Sequence, residues 1–309
     1  MKEHRPSRTA EHNALFRAIE YARRPEEQIV NDWIAESFLT APFRLVAMLS
    51  HNPICAAMLC RYIDYRWPGS RTSLIARTRL IDDYVTSAAS TGVPQIVVLG
   101  AGYDSRAYRI AGAAGSRFFE VDHPNTSAVK QAHIRRVLGA LPEHVTYVAL
   151  DFQRDSLPES LESAGFNPTY RSLFIWEGVS NYLTEDSVRS TLSFIGNLAE
   201  GTMLIFTYID EAVLRDPLHF AGGREVQRTI VRLEEPWTFG IRPERASEFL
   251  GECGLWVDSD LSAADYRKPY YYPTAAEIRG YEFYHVVRAH IPQRAELLSA
   301  ASAAEFHHA

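Results

Sequence analysis

Residues 95–106 read Gln-Ile-Val-Val-Leu-Gly-Ala-Gly-Tyr-Asp-Ser-Arg, an apolar run that ends on a Gly-x-Gly turn. About twenty residues beyond Gly100, a second short apolar run, Phe118-Phe119, ends in Glu120-Val121-Asp122. Together they predict strand, tight turn, helix, strand and carboxylate, the unit that holds nucleotide-like cofactors in α/β proteins. Gly100 and Gly102, with Ala101 between them, let the backbone approach a ligand closely. A carboxylate at the tip of the second strand can accept hydrogen bonds from both ribose hydroxyls. A plain turn explains a lone Gly-x-Gly equally well, so the phased acids carry the reading.

The rest of the chain fits that frame. Residues 1–92 carry helical patterning and no strand signal, and are expected to form a helical layer over a later sheet. Leu74, Ile75, Ile81, Val85 and Ala88 fall on one face of a segment that breaks at Gly92-Val-Pro94. Residues 93–209 alternate apolar runs with helical segments. Strands are expected at 95–100, 117–121, 145–150, 172–176 and 203–208, and helices at 125–141 and 185–198. Four of the strands are nearly continuous apolar runs, as in a parallel sheet covered on both faces. Residues 210–240 break the rhythm with Asp216-Pro217, Gly222-Gly223 and Pro236-Trp237, and are expected to form an insertion over the site. Residues 241–309 complete the sheet. A helix is expected at 242–253, with Pro243 in its first turn and Gly254 just past its end. Strands at 255–261 and 281–290 and an alanine-rich tail from 292 follow. The whole reads as one α/β domain around a doubly wound, mostly parallel, seven-stranded sheet.

Composition narrows the functional classes. The chain of 309 residues has a formal net charge of -6, so no broad basic field exists to attract nucleic acid. No apolar stretch approaches the roughly 20 residues needed to span a bilayer, and the polar start of the chain lacks the apolar core of a signal peptide. Cys55, Cys60 and Cys253 form no Cys-x-x-Cys, which fits buried thiols in a reduced cytoplasm. No histidine shows metal-ligand spacing with another ligand, so no metal is expected.

The glycine turn departs from the dinucleotide fingerprint. Ser105 stands where a third glycine or alanine would be, and Asp104 puts a negative charge beside the turn. A pyrophosphate would be repelled there, whereas a cofactor with a cationic end and no phosphate would not. S-adenosylmethionine, with its sulfonium, ammonium and carboxylate, meets that description.

Three blocks carry a resemblance: residues 99–106 (Leu-Gly-Ala-Gly-Tyr-Asp-Ser-Arg), 119–124 (Phe-Glu-Val-Asp-His-Pro) and 176–183 (Trp-Glu-Gly-Val-Ser-Asn-Tyr-Leu). In sequence and order they resemble the leucine carboxyl methyltransferase superfamily, closest to its bacterial, tetracenomycin-type members. Residues 75–79 (Ile-Ala-Arg-Thr-Arg) and 150–152 (Leu-Asp-Phe) match in order and spacing. The resemblance is firm over about 70–210 and thin beyond. It implies that Asp122 binds the ribose with Glu120 as its neighbour, and that Asp151 and Phe152 meet the adenine edge. It implies that Arg77 grips the methionine carboxylate, and that the last strand runs antiparallel near the sheet edge. Each residue has a plainer reading: a solvated strand end for the acids, a helix N-cap for Asp151, a surface charge for Arg77.

Glu177 ends the fourth strand, on the side where open α/β sheets bind ligands, and can hold an ammonium group. Tyr182 can shape the wall near the sulfonium, or pack in the core. Gly178-Val-Ser180 also begins like the nucleophile elbow of a serine hydrolase, but Tyr182 replaces the final glycine. His123 and His285 remain able to reach a substrate. The dense run Tyr266, Tyr270, Tyr271, Tyr272, Tyr281, Phe283 and Tyr284 can line an acceptor pocket or fill the core. The expectation is an S-adenosylmethionine-dependent O-methyltransferase acting on a small-molecule carboxylate, with a phenol or other hydroxyl as the alternative acceptor. A nicotinamide oxidoreductase and a non-catalytic cofactor-binding module are the rivals. No lysine has a tyrosine four residues before it, so the Tyr-x-x-x-Lys dyad of short-chain dehydrogenases is absent.

Overall fold

The computed structural model describes residues 8–152, 154–233, 236–293 and 296. Most of the expected alanine-rich tail lies outside them. Seven strands form one sheet: β1 (Gln95–Leu99), β2 (Arg117–Asp122), β3 (Val145–Ala149), β4 (Ser172–Trp176), β5 (Met203–Ile209), β6 (Trp256–Ser262) and β7 (Tyr284–His290). Their spatial order is β3-β2-β1-β4-β5-β7-β6. The first five strands pair in parallel, and β7 runs antiparallel between β5 and β6. This is the expected doubly wound sheet, and its chain order reverses between β1 and β4, where such sheets open a crevice for ligand.

Burial follows position. All five residues of both β1 and β4, the central strands, are buried. Edge strand β6 carries Asp258 and Asp260 among residues that are at most half-buried, and acids there oppose edge-to-edge pairing with another sheet. β7 begins later than the sequence pattern suggests. Gly280 and Tyr281 both have positive φ, and Tyr281 accepts a turn hydrogen bond from the Tyr284 N–H at 2.9 Å. The chain therefore straightens only at Tyr284.

Helices cover both faces. Before the sheet come α1 (Arg8–Tyr21), α2 (Ala41–Leu49), α3 (Pro53–Arg66) and α4 (Ser70–Ser90). Between strands come α5 (Arg106–Arg109), α6 (Pro124–Leu138), α7 (Leu157–Ser163) and α8 (Glu185–Gly196). After β5 come α9 (Ala212–Arg215), α10 (Gly223–Leu233), α11 (Ala246–Gly251) and α12 (Ala263–Arg267). One core cluster packs α8 and α11 on the sheet, and another packs α4 and α12 on it. The N-terminal layer is not uniform. Helices α1–α3 build an apolar cluster of their own, which includes Tyr103 of the glycine turn and Ile134 of α6. It thus sits beside the ligand-binding edge of the sheet.

Residues 210–240 are pinched at their base by a parallel bridge between Asp210 and Ile241. Three residues before that bridge Thr238 donates its N–H to the Asn181 carbonyl at 2.7 Å and its hydroxyl to the Leu183 carbonyl at 2.9 Å. The expected helix at 242–253 is a 3-10 turn (Pro243–Arg245) followed by α11. Among the described residues no single helix is long and apolar enough to cross a membrane. Only α2 and α3 taken together reach that composition, and they are bent by 118°.

Candidate active site

A cleft of about 530 Å³ opens at the C-terminal ends of β1–β4. Gly100, Ala101, Gly102 and Asp104 form its floor after β1, and Asp122 comes from the end of β2. Asp151 and Phe152 come from the loop after β3, Glu177 from the end of β4, Tyr182 from the turn that follows, and Arg77 from α4. Thr9, Ala10, Asn13 and Arg17 of α1 close one side, and Pro236 and Thr238 border another. Both glycines of the turn have positive φ. A Cβ on Gly100 would also stand 2.4 Å from a methyl carbon of Val179, so this turn needs a residue without one.

Asp122 holds the turn in place. Its carboxylate accepts the N–H of Gly102 and, at 2.6 Å, that of His123. Burial pushes its pKa up and outweighs those two N–H donors. Glu120 behaves differently from the expectation. Alternation puts it on the same side as Asp122, but one pleat further back, roughly 6.6 Å along the strand. There α5 and α6 roof it. Its carboxylate meets Lys130 at 2.8 Å and the Tyr108 hydroxyl at 2.9 Å, and it does not line the cleft. Burial raises its pKa against the pull of Lys130.

Glu177 sits on the wall between two arginines. Arg77 donates Nε to Oε1 at 2.7 Å, and Arg106 donates Nη1 to Oε2 at 2.8 Å. Burial alone would push this carboxyl up, but Arg106 and then Arg77 outweigh it and hold the pKa at about 2. Arg77 is fixed from behind by the Tyr284 ring, 4.5 Å from its guanidinium carbon, a cation–π contact. Arg79, two residues along, faces away and pairs with Asp83 at 2.8 Å.

Arg106 is the residue that motif reading overlooks. Only 3% exposed, it joins Asp82 (2.8 Å), Asp104 and Glu177. Arg109 pairs with Asp82 at 2.7 Å, and buried Asp32 accepts from Arg17 and Ser105, each at 2.7 Å. One ion network therefore runs from the N-terminal layer through the glycine turn to β4. It explains Ser105 in place of a third glycine, since its hydroxyl reaches Asp32. It also corrects the electrostatic argument drawn from Asp104, whose charge is taken up by Arg106. The only sequence signal for Arg106 was its place at the end of the glycine block, and apart from Asp104 its partners are 24 and 71 residues away.

Other expectations divide. Asp151 lies in the loop before α7, whose N-cap is Ser156, so it does not cap that helix. Ser180 is buried and donates to the Thr207 carbonyl at 2.7 Å, so it is no exposed nucleophile. His123 lines the cleft, whereas His285 pairs with Asp260 at 2.9 Å and stacks on Tyr208. Tyr266, Phe283 and Tyr284 belong to the core, Tyr270, Tyr271 and Tyr281 pack against it, and Tyr272 is exposed, so the run does not line this cleft. Among the cysteines, Cys55 is exposed and Cys253 buried.

Strand order, the glycine turn and the row of acids along the strand ends define a Rossmann-like α/β fold with its crevice at the strand ends. The sequence model described as leucine carboxyl methyltransferase matches residues 10–196, and the chain belongs to that family. A protein of Frankia alni named "Putative S-adenosyl-L-methionine-dependent methyltransferase" is 37% identical over 187 residues, which are 60% of this chain and 62% of that protein. The chain thus matches less than two thirds of that relative's length. A Parafrankia protein of the same description is 32% identical over 295 residues, covering 89% of this chain and 84% of its own. The fold is shared with a solved structure described as a putative methyltransferase from Thermobifida fusca. Its TM-score is 0.58 at 14% identity, over 89% of this chain and 97% of that one.

Proposed function

We propose that this chain transfers a methyl group from S-adenosylmethionine to a carboxylate oxygen of a small-molecule acceptor. The observation that carries the reading is the pair Arg77 and Glu177, side by side at 2.7 Å on the cleft wall. One cation and one anion in contact match the carboxylate and ammonium of the cofactor's methionyl end. The other groups fit in order. Asp151 with Phe152, Asp122, the glycine turn and Glu177 stand at the ends of β3, β2, β1 and β4, a span of roughly 14 Å at about 4.8 Å per strand. In this reading Asp151 and the Phe152 backbone meet the adenine edge, Asp122 takes the ribose hydroxyls, and the 100–102 backbone lies against the nucleoside.

The bound cofactor supplies an electrophilic methyl group. The protein binds, aligns and excludes water. Glu177 is poorly placed to act as a base, because Arg77 and Arg106 both donate to its carboxylate. Tyr182 lies five residues after Glu177 on the same wall, and we place both against the reacting end. Around that end Val179, Leu183, Pro236 and Thr238 supply no general base among the described residues, while His123 sits two strands away at β2. A carboxylate acceptor is ionised at neutral pH and needs no base, and the family's description points the same way.

The test uses methyl-labelled cofactor with a panel of aromatic and aliphatic acids and matched phenols, followed by mild alkali. A methyl ester releases labelled methanol. Alkali-stable label in every active case would overturn the carboxylate and leave a phenol or other hydroxyl as acceptor. Thermal stabilisation by NADP and none by S-adenosylhomocysteine would overturn the cofactor.

A further inference from the structure

Seven of the fifteen exposed large hydrophobic side chains among the described residues lie between Leu45 and Tyr65. On α2 they are Leu45, Met48 and Leu49. On α3 they are Ile54, Met58, Tyr62 and Tyr65, spaced four, four and three residues apart, so they form one stripe. Ile54 is 72% exposed and Tyr65 83%. The opposite face of the hairpin is satisfied, since Ala47 and Ile63 are buried in the N-terminal cluster. The stripe does not belong to the cleft, none of whose lining comes from α2 or α3.

We infer that this hairpin is the contact face of a homodimer, with a second copy of the chain as its occupant. Area is the first argument. Aromatic side chains such as Tyr62 and Tyr65 carry on the order of 150–250 Å² each, the five aliphatic ones somewhat less, and all seven are more than half exposed. Summed over both helices, the exposed apolar area therefore approaches the roughly 800 Å² per partner that stable interfaces bury. Composition is the second. Leu, Ile, Met and Tyr surround Arg61, the one exposed Lys, Arg, Asp or Glu between Ala41 and Arg66 among the described residues. Protein interfaces favour Met, aromatic residues and Arg, and avoid Lys, Asp and Glu.

A two-fold axis perpendicular to the stripe sets it antiparallel to itself. The aliphatic half, Ile54 and Met58, then faces the tyrosine half, Tyr62 and Tyr65, of the other copy, pairing thioether with ring. The stripe is thus complementary to itself. A lipid surface fits less well. Helices that lie in a headgroup layer carry rows of Lys and Arg, whereas this hairpin exposes Arg61 alone and the chain is acidic overall, at -6.

The inference does not depend on the methyltransferase reading, and its test measures mass rather than activity. Sedimentation equilibrium of the full chain over about 1–100 µM should give twice the monomer mass. Met58→Glu and Tyr62→Glu, each placing a charge on the stripe, should weaken association at least about 30-fold. Val231→Glu, at an exposed apolar site on α10, should leave the dimer intact. Circular dichroism checks that each variant folds. A wild-type monomer throughout that range would overturn the inference, as would a dimer that both hairpin variants retain. Sedimentation of a monomer with phosphatidylglycerol vesicles would overturn it in favour of a lipid surface.

Discussion

At the mouth of the sheet, Arg77 and Arg106 are buried, with Arg109 half-buried beside them, among Asp82, Asp104 and Glu177. On the α2–α3 hairpin, Leu49, Ile54 and Met58 face water. The two regions place charge and hydrocarbon where a stable fold alone would not. The difference lies in what each arrangement demands. Buried ions cost several kcal/mol apiece in lost hydration, so every one must be met by a partner within the same chain. Exposed apolar groups cost the folded chain little, because they are as exposed in the unfolded state, and they become favourable only when something covers them. The first arrangement is thus completed internally and shapes a ligand site; the second is completed by another surface.

The sharpest way to break the contrast is Arg106→Leu. It leaves Asp82, Asp104 and Glu177 short of a partner, and removing one member of a buried ion pair costs about 3–5 kcal/mol. Urea denaturation should show that loss, and calorimetry should show cofactor affinity falling with it. Wild-type stability in this variant would mean that the network is solvated and the comparison wrong.

Acid should act on the same region. Glu177 has a folded pKa of about 2 against an ordinary 4.5. A depressed carboxylate contributes stability that is fully present above the unfolded value and is lost as pH falls from about 4.5 to 2. The contribution is at most roughly 3 kcal/mol. Asp32 is also lowered: burial pushes it up, but Arg17 and Arg109 outweigh that, so it adds loss of the same sign. The stability of Glu177→Gln should fall less over this window than that of the wild type, and an equal fall would remove Glu177 from the account.

Asp122→Ala separates ligand binding from folding. Asp122→Ala also leaves the Gly102 and His123 N–H groups without their acceptor, so the ligand-free variant should still fold and lose about 1–3 kcal/mol of stability. Removing hydrogen bonds to a charged group should cost about 1.5–3 kcal/mol of S-adenosylhomocysteine binding, or about 10- to 150-fold. Unchanged affinity by calorimetry would take Asp122 out of the site.

The smallest effect is expected on the hairpin. Met58→Glu in a protein diluted to monomer should change unfolding free energy by no more than about 0.5 kcal/mol, because an exposed position outside any network is tolerant. A loss of several kcal/mol would show that the stripe is part of the monomer's own core.

Much of the fold was legible because its signals are local. Apolar runs of strand length, the glycine turn and an acid at each strand end fixed five parallel strands and the side on which a ligand would lie. The start of β7 was misplaced because Tyr281 takes a left-handed conformation that its residue type does not announce. Glu120 was misjudged for a different reason. Strand alternation gives a side, but not the distance from the strand's end or what roofs the side chain. His285 and the tyrosine run were open choices, because a ring at a strand position looks the same whether it meets a cleft or a core.

The sequence alone determined the layered α/β class, the glycine turn and the acids Asp122 and Glu177, since each follows from periodicity or from residues adjacent in the chain. Only the tertiary structure decided the partners of those acids. Arg77 meets Glu177 across 100 residues and Arg106 meets it across 71, and Ser105 meets Asp32 across 73. Such pairings carry no local pattern, because they depend on which helix packs over which strand end. The bare stripe on α2 and α3 has the same origin. Helical spacing shows that a face is apolar, but only the packed fold shows that the chain leaves this one uncovered.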